Sequence, residues 1–256
     1  MPPIAGSMPR RDFVRAGLGA IATPLVLACS DGGPPTNDPS LSARPGTPTL
    51  APPTGLTELG LASGRDGLLY VPTGYTAGRA WPLFVALHGA GGASDGWASY
   101  HARAEARGMV LLMPDSRGRT WDLILGSLGA DVAFLDRALQ YTFDRCRVDP
   151  KHLVMGGFSD GATYALSLGV SNGDLFSHLI GYSPGYLDVH DPVVGDPLVF
   201  VSHGTLDPIL PVSASRDRIV PTLRGEGYDV TYREFSGGHE VPADISEAAL
   251  DWFLAG

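Results

Sequence analysis

Apolar and polar positions divide the chain into two unlike parts. From residue 56 onward, short continuous apolar runs alternate with segments of helical periodicity. The runs predict strands at residues 68–72, 82–89, 109–114, 152–158, 177–182, 198–203 and 228–235. The periodic segments predict helices at residues 95–107, 130–145, 161–171, 213–225 and 244–254. This alternation favours an α/β fold with a mostly parallel central sheet and helices on both faces.

The first 29 residues predict an export signal rather than part of the fold. Arg10 and Arg11 precede an apolar stretch at residues 16–28, which is too short to span a bilayer. The arginine pair resembles a twin-arginine signal. Cys29 follows a small residue, as in the box where bacterial lipoproteins are cleaved and acylated, so it is the candidate lipidation site. The alternative is an ordinary secretory signal with an incidental cysteine.

Residues 30–55 predict a flexible tether. They hold seven prolines and almost no large apolar side chain, so burial cannot offset the entropy lost on ordering them. Such a tether suits a domain that stands off a membrane. Residues 56–256 are then expected to form one folded domain.

Composition excludes several classes of partner. The 256 residues are 44% hydrophobic with a net charge of −9, and the basic residues are scattered. This argues against nucleic acid or anionic lipid as the main partner, so a membrane is expected to be met only through the N-terminal lipid. The two cysteines are too few for a disulfide framework or a zinc cluster. Cys146 is expected to be a small buried side chain.

The strongest chemical signal is the sequence GFSDG at residues 157–161, between a predicted strand and a predicted helix. It fits the pattern G-x-S-x-G, in which the serine stands on a sharp, strained turn and the glycines avoid clashes with neighbouring backbone. Serine is also common in ordinary glycine-rich turns. Ser159 therefore needs a base and an acid elsewhere in the chain to act as a nucleophile.

Two residues that follow predicted strands supply these partners. His239 lies in a glycine-rich loop after the strand at 228–235, and Asp207 follows the strand at 198–203. Active sites of open parallel sheets lie at the carboxyl ends of strands, and the order Ser, Asp, His is that of one hydrolase fold. The acids kept in reserve, which lie in a proline-containing loop, are Asp188, Asp191 and Asp196. His203 is expected to be a structural histidine that bonds backbone.

A developing oxyanion needs backbone donors near the nucleophile. The sequence HGAGG at residues 88–92 ends a predicted strand. We expect the N–H groups of Ala90 and of Asp160, which directly follows Ser159, to form the donor pair. His88 is expected to be a structural residue of this loop.

Together these segments resemble the serine esterases of the α/β-hydrolase superfamily, in particular the bacterial phospholipase/carboxylesterase branch. Dienelactone-hydrolase-like and polyhydroxybutyrate-depolymerase-like esterases are its neighbours. The resemblance covers most of residues 68–245 and implies an α/β-hydrolase fold without a large lid domain. It also implies Ser159, Asp207 and His239 as a catalytic triad, with no metal or organic cofactor. The implied substrates are small-molecule or oligomeric esters.

The chain departs from this family at Asp160, where many relatives carry Gln. A carboxylate beside an oxyanion would oppose catalysis, so we expect its side chain to turn away. The short interval from Ser159 to Asp207 predicts a shallow site for short or medium acyl groups, with Trp97, Trp121 and Tyr186 as candidate pocket walls. Polyester oligomers or feruloyl-type esters are the alternative substrates. The alternative outside enzymes is an inactive binding lipoprotein.

Overall fold

Eight strands form one sheet in the computed structural model, which describes residues 38–255. The strands are β1 (Gly55–Glu58), β2 (Gly67–Val71), β3 (Trp81–Leu87), β4 (Val110–Pro114), β5 (Val148–Phe158), β6 (His178–Tyr182), β7 (Leu198–Gly204) and β8 (Val230–Phe235). Their order is β1-β2-β4-β3-β5-β6-β7-β8. β2 is antiparallel to both neighbours, and the strands from β4 to β8 pair in parallel. The predicted mostly parallel sheet is confirmed.

Helices cover both faces of the sheet. They are α1 (Ser99–Arg107), α2 (Ala130–Arg145), α3 (Asp160–Val170), α4 (Val220–Gly225) and α5 (Ala243–Leu254). The residues of β3 alternate between two cores, as the two-residue repeat of a strand requires. One core packs against α2, α3 and α4, and the other packs against α1 and α5. Within the described residues, no helix is both long and apolar enough to cross a membrane.

The elements differ from the predicted ones in a few places. The predicted helix at 213–225 is a π-helical turn at Ser215–Ile219 that leads into the short α4. The strand β1 was not predicted; it has four residues, and Leu56, its one large apolar residue, is exposed. Short 3₁₀ helices lie at Ser94–Trp97 and Asp122–Leu125.

The second part of the predicted tether lies against the domain, so the prediction of a flexible segment is wrong for residues 38–55. The side chains of Leu41 and Ala43 are only 2% and 3% exposed. The carboxylate of Asp136 accepts two backbone N–H groups of the segment, at 2.7 and 2.8 Å. The side chain of Asn172 accepts a third and donates to a backbone carbonyl. A polar side chain of α2 and one in the turn after α3 thus hold a segment whose own composition suggested disorder. The export signal with Cys29 lies outside the described residues.

The parallel strands bring four loops to one edge of the sheet. β3 ends before the HGAGG segment, β5 ends before Ser159, and β7 and β8 end before the loops that carry Asp207 and His239. Carboxyl ends of parallel strands form the usual ligand site of an open α/β sheet. The fold therefore assembles the predicted chemical groups at a single edge.

The docked segment predicts a difference between two leucines. Replacing Leu41 by Ala should lower the free energy of unfolding by about 2 kcal/mol, since it removes a buried side chain. Replacing Leu50 by Ala should change it by less than about 0.5 kcal/mol, because Leu50 is 50% exposed. Urea unfolding followed by tryptophan fluorescence measures both. Equal midpoints for the two variants would show that the segment does not dock.

Candidate active site

Ser159 stands on a strained turn between β5 and α3. Its backbone has φ 57° and ψ −120°, a conformation that residues other than glycine rarely adopt. A Cβ on Gly157 would overlap the backbone of Gly161, and a Cβ on Gly161 would overlap the carbonyl of Leu87. The two flanking glycines therefore permit the close approach that lifts the serine above the sheet edge.

The structure brings Ser159, His239 and Asp207 into one line of contacts. The Ser159 Oγ lies 2.8 Å from Nε2 of His239, and Nδ1 of His239 lies 2.6 Å from Oδ2 of Asp207. The Asp207 carboxylate can only accept when ionised, so Nδ1 carries the proton and Nε2 accepts from the serine hydroxyl. Ser159 is 8% exposed. This arrangement suits transfer of the hydroxyl proton to the imidazole.

The carboxylate of Asp207 is completely buried but well supplied with donors. Its Oδ1 accepts the backbone N–H groups of Ile209 and Leu210, at 2.8 and 2.9 Å. Burial raises the pKa of Asp207, but the hydrogen bonds from Leu210, His239 and Ile209 outweigh burial and lower that pKa overall. Asp207 is therefore ionised at neutral pH. The reserve acids Asp188, Asp191 and Asp196 are not needed to orient the histidine.

The loops that carry the acid and the base are cross-linked. The N–H of Thr205 donates to the carbonyl of Phe235, and the N–H of Leu206 donates to the carbonyl of Gly237, both at 2.9 Å. A Cβ on Gly204 would overlap the carbonyl of Gly238. The absence of a side chain at Gly204 thus lets the two loops lie close enough for Asp207 to reach the histidine.

The predicted oxyanion donors also meet at this edge. The carbonyl of Gly89 accepts from Nδ1 of His88 at 2.7 Å and from the N–H of Gly92 at 3.0 Å. The Ala90 N–H belongs to the same peptide unit and points the opposite way, and it donates to no oxygen within residues 38–255. The Asp160 N–H opens α3 and so has no partner inside the helix. Both donors are available beside Ser159.

His88 holds the HGAGG segment at residues 88–92, called the oxyanion loop below, in place. Its ring is buried, and Nε2 accepts the backbone N–H of Ser116 at 3.0 Å and faces the Arg65 guanidinium at the same distance. Burial lowers the pKa of His88, and the charge of Arg65 lowers it further. The ring is therefore neutral with its proton on Nδ1, where it orients the peptide that carries the Ala90 N–H. His88 is a structural residue, as predicted.

The side chain of Asp160 turns towards Thr120, whose hydroxyl donates to its carboxylate at 2.6 Å. A carboxylate in the first turn of a helix is also favoured by the helix dipole. Thr120 thus binds the side chain of Asp160, while the backbone N–H of Asp160 stays available. This is the orientation that the sequence predicted.

A cavity of about 580 Å³ adjoins the catalytic groups. Its lining at the sheet edge includes Gly89, Ala90 and His239. Near α1 the lining includes Trp97, Tyr100 and Arg103. It also includes Phe158, Glu240 and Ser246. The volume lies in the range of pockets that enclose small ligands. Trp97 lines this cavity, as predicted.

Two other predicted pocket walls are wrong. Trp121 is completely buried, donates from Nε1 to the carbonyl of His88 at 2.8 Å, and packs on the rings of His88 and Tyr164. It supports the oxyanion loop from below. Tyr186 is 42% exposed and lies outside the cavity lining. Burial, together with the charges of Asp188 and Asp160, raises the pKa of Tyr186 to about 12.

The sequence analysis missed Tyr100, Arg103 and Arg65. Tyr100 and Arg103 share one face of α1 because they are three residues apart, but nothing in the sequence places that face at the cavity. Arg65 lies 23 positions before His88 in the loop between β1 and β2. Its role follows only from the folded chain.

Comparisons with known proteins bear on the fold and on the class of reaction. No protein-family model matches the chain. Feruloyl esterase C of Emericella nidulans is 27% identical over 282 residues, covering 93% of this chain and 99% of that protein. Acyl-protein thioesterase 1 of Gibberella zeae is 26% identical, covering 73% of this chain and 94% of that protein.

The structure of acetyl xylan esterase from Aspergillus awamori superposes on 79% of this chain and on all of that chain, with a TM-score of 0.64 and 15% identity. This likeness establishes the fold. The chain is thus similar in sequence to an esterase and a thioesterase, and its fold is that of the α/β-hydrolases.

Proposed function

We propose that this protein is a serine hydrolase that cleaves carboxylic esters, with Ser159 as nucleophile, His239 as base and Asp207 as orienting acid. The observation that carries the proposal is the unbroken line of contacts from the serine hydroxyl to the buried carboxylate, at 2.8 and 2.6 Å. The available N–H groups of Ala90 and Asp160 support it. An inactive binding protein would have no need for this complete arrangement.

The proposed reaction proceeds through an acyl-enzyme. The Ser159 Oγ attacks the ester carbonyl carbon while Nε2 of His239 takes the hydroxyl proton, and the carbonyl oxygen becomes an oxyanion. The Asp207 carboxylate stabilises the imidazolium, which then protonates the departing alcohol. Water repeats the sequence on the acyl-enzyme and releases the acid. No step draws on a metal or an organic cofactor.

The oxyanion is stabilised by two backbone donors. The N–H groups of Ala90 and Asp160 face the place where negative charge develops, and such fixed donors contribute most when they need no reorganisation. Through its bond to the Gly89 carbonyl, His88 holds one of them. The bond from Thr120 holds the Asp160 carboxylate away from the other.

Two substrate classes are considered. Esters with short or medium acyl groups are the first, with polyester oligomers as their extended form. Feruloyl-type esters are the second, and a specific observation favours them. The rings of Trp97, Tyr100 and Phe158 line the cavity, and flat aromatic groups pack well against such rings. A relative that covers almost the whole chain is named as a feruloyl esterase.

The nucleophile assignment is tested by a serine-directed fluorophosphonate probe. The wild-type protein should be labelled, and the Ser159→Ala variant should not be, since the Ser159 hydroxyl lies 2.8 Å from the proposed base His239 beside the cavity. Ser99→Ala is the matched control because Ser99 also lines the cavity, and it should be labelled like the wild type. Equal labelling of the Ser159→Ala variant would falsify the assignment.

The aromatic-acyl candidate is tested by replacing Trp97 with Leu. We expect the ratio of kcat/KM for methyl ferulate to kcat/KM for p-nitrophenyl butyrate to fall about five- to tenfold, the size of one aromatic contact. Both substrates are measured on the same variant, so any loss of folded protein cancels in the ratio. An unchanged ratio, or a wild type that does not turn over methyl ferulate, would reject feruloyl-type esters in favour of esters with short or medium acyl groups.

We also propose export through the twin-arginine signal and acylation of Cys29. The basic pair Arg10–Arg11, the short apolar stretch and the residue before Cys29 support this. Metabolic labelling of the full chain with a palmitate analogue in a bacterial host should label the wild type but not Cys29→Ala. Cys146→Ala should keep the label, because Cys146 is buried in the domain. Label that persists in Cys29→Ala rejects acylation at that residue.

A further inference from the structure

A second histidine lies against the acid of the triad. His203, near the end of β7, is completely buried, as are the side chains of Asp207 and Ser215. Its Nε2 lies 2.9 Å from the carbonyl of Leu210 and 3.3 Å from Oδ2 of Asp207. Its Nδ1 lies 2.7 Å from the Ser215 hydroxyl. The mechanism proposed above does not use this ring.

The surroundings of the ring fix the position of its proton. Nε2 faces two oxygens that can only accept, the Leu210 carbonyl and the Asp207 carboxylate. Nε2 therefore carries a hydrogen, and Nδ1 faces the hydroxyl of Ser215, which can donate or accept. The ring thus turns a donor edge towards the acid of the triad.

His203 closes the turn that presents Asp207. The N–H of Leu210 donates to Oδ1 of Asp207, while the carbonyl of Leu210 accepts from His203. The ring therefore holds the same residue that holds the carboxylate. Oδ2 lies between two imidazoles, His239 at 2.6 Å and His203 at 3.3 Å.

The other charged groups beside the ring are already paired. Glu234 lies next to His203 in the register of β7 and β8, and both of its carboxylate oxygens accept from the guanidinium of Arg216. Within the described residues, Asp207 differs from Glu234 because its partners are histidines rather than an arginine or a lysine. A change at His203 should act first on Asp207 and, through it, on His239.

We propose that His203 is a positioning residue of the ester hydrolase. It holds the Leu210 carbonyl and directs its Nε2–H edge at Asp207, and in this way limits how strongly Asp207 draws the proton onto His239. The inference rests on the proposed function. Without the His203 donor edge, the carboxylate becomes more basic and less fixed, so the imidazolium form of His239 is favoured to higher pH.

Two amide variants separate this role from general packing. In His203→Gln the amide nitrogen reaches the position of Nε2, whereas in His203→Asn it reaches only the position of Nδ1. We expect His203→Gln to keep kcat within about threefold. His203→Asn should lose kcat roughly ten- to hundredfold with little change in KM, because a displaced base slows the chemical step without weakening substrate binding.

The pH profile of kcat/KM supplies the readout that a merely structural role would not move. Its acid limb reports protonation of the base in the free enzyme. That limb should move to higher pH by roughly half a unit in His203→Asn and stay in place in His203→Gln. Thermal unfolding of both variants checks that they are folded to the same extent. Equal losses in the two variants, or an unmoved limb in His203→Asn, overturn the proposal.

Nitrogen-15 NMR of histidine-labelled wild-type protein tests the same assignment without any variant. At neutral pH the His203 Nε2 should carry hydrogen. The opposite tautomer removes the donor from Asp207 and overturns the proposal, whether or not His203→Asn folds. Should the wild type hydrolyse no ester and Ser159 resist labelling, the proposed function fails instead, and the NMR measurement still decides the His203 contact.

Discussion

The close approach of α3 to β5 and β3 is the constraint on which the rest of the site depends. Gly157 and Gly161 lie so close to neighbouring backbone that no side chain fits at either position. A turn this tight gives Ser159 a positive φ, which costs about 1–3 kcal/mol in a residue other than glycine. The Ser159 N–H donates to the Tyr182 carbonyl at 2.9 Å, and the buried helix α3 packs behind it. The surrounding fold thus maintains a local conformation that the turn alone would not keep.

Buried charge is organised around this turn by backbone groups more than by opposite charges. Among residues 38–255 no arginine or lysine forms an ion pair with Asp207; two backbone N–H groups and two imidazoles surround its carboxylate. Such donors keep the acid ionised without supplying a full positive charge that would compete with the imidazolium. The neutral ring of His88 plays the corresponding part at the oxyanion loop, where it fixes a peptide and adds no charge.

The sequence predicted the residues that directly follow strand ends. It did not place the residues whose surroundings depend on packing between distant parts of the chain. Ser159, Asp207 and His239 could be found because parallel strands deliver their carboxyl ends to one edge. Trp121 and Tyr186 could not be placed, since an aromatic residue in a loop looks the same whether it fills a core, lines a cavity or lies at the surface. The segment around Leu41 was misread for a related reason. Its order depends on the side-chain acceptors of Asp136 and Asn172, which are distant in the sequence and which its composition does not reveal.

Asp160 shows how a residue that opposes the chemistry can be accommodated beside it. In the proposed reaction its N–H faces the oxyanion, and the same residue carries a carboxylate. In the first turn of α3 the backbone N–H points along the helix axis, whereas the side chain leaves sideways and is met by the Thr120 hydroxyl at 2.6 Å. The dipole of α3 favours that negative charge, as it favours the oxyanion. The two charges are stabilised by the same helix end but approach it from different directions, so the carboxylate can be kept as long as Thr120 holds it aside.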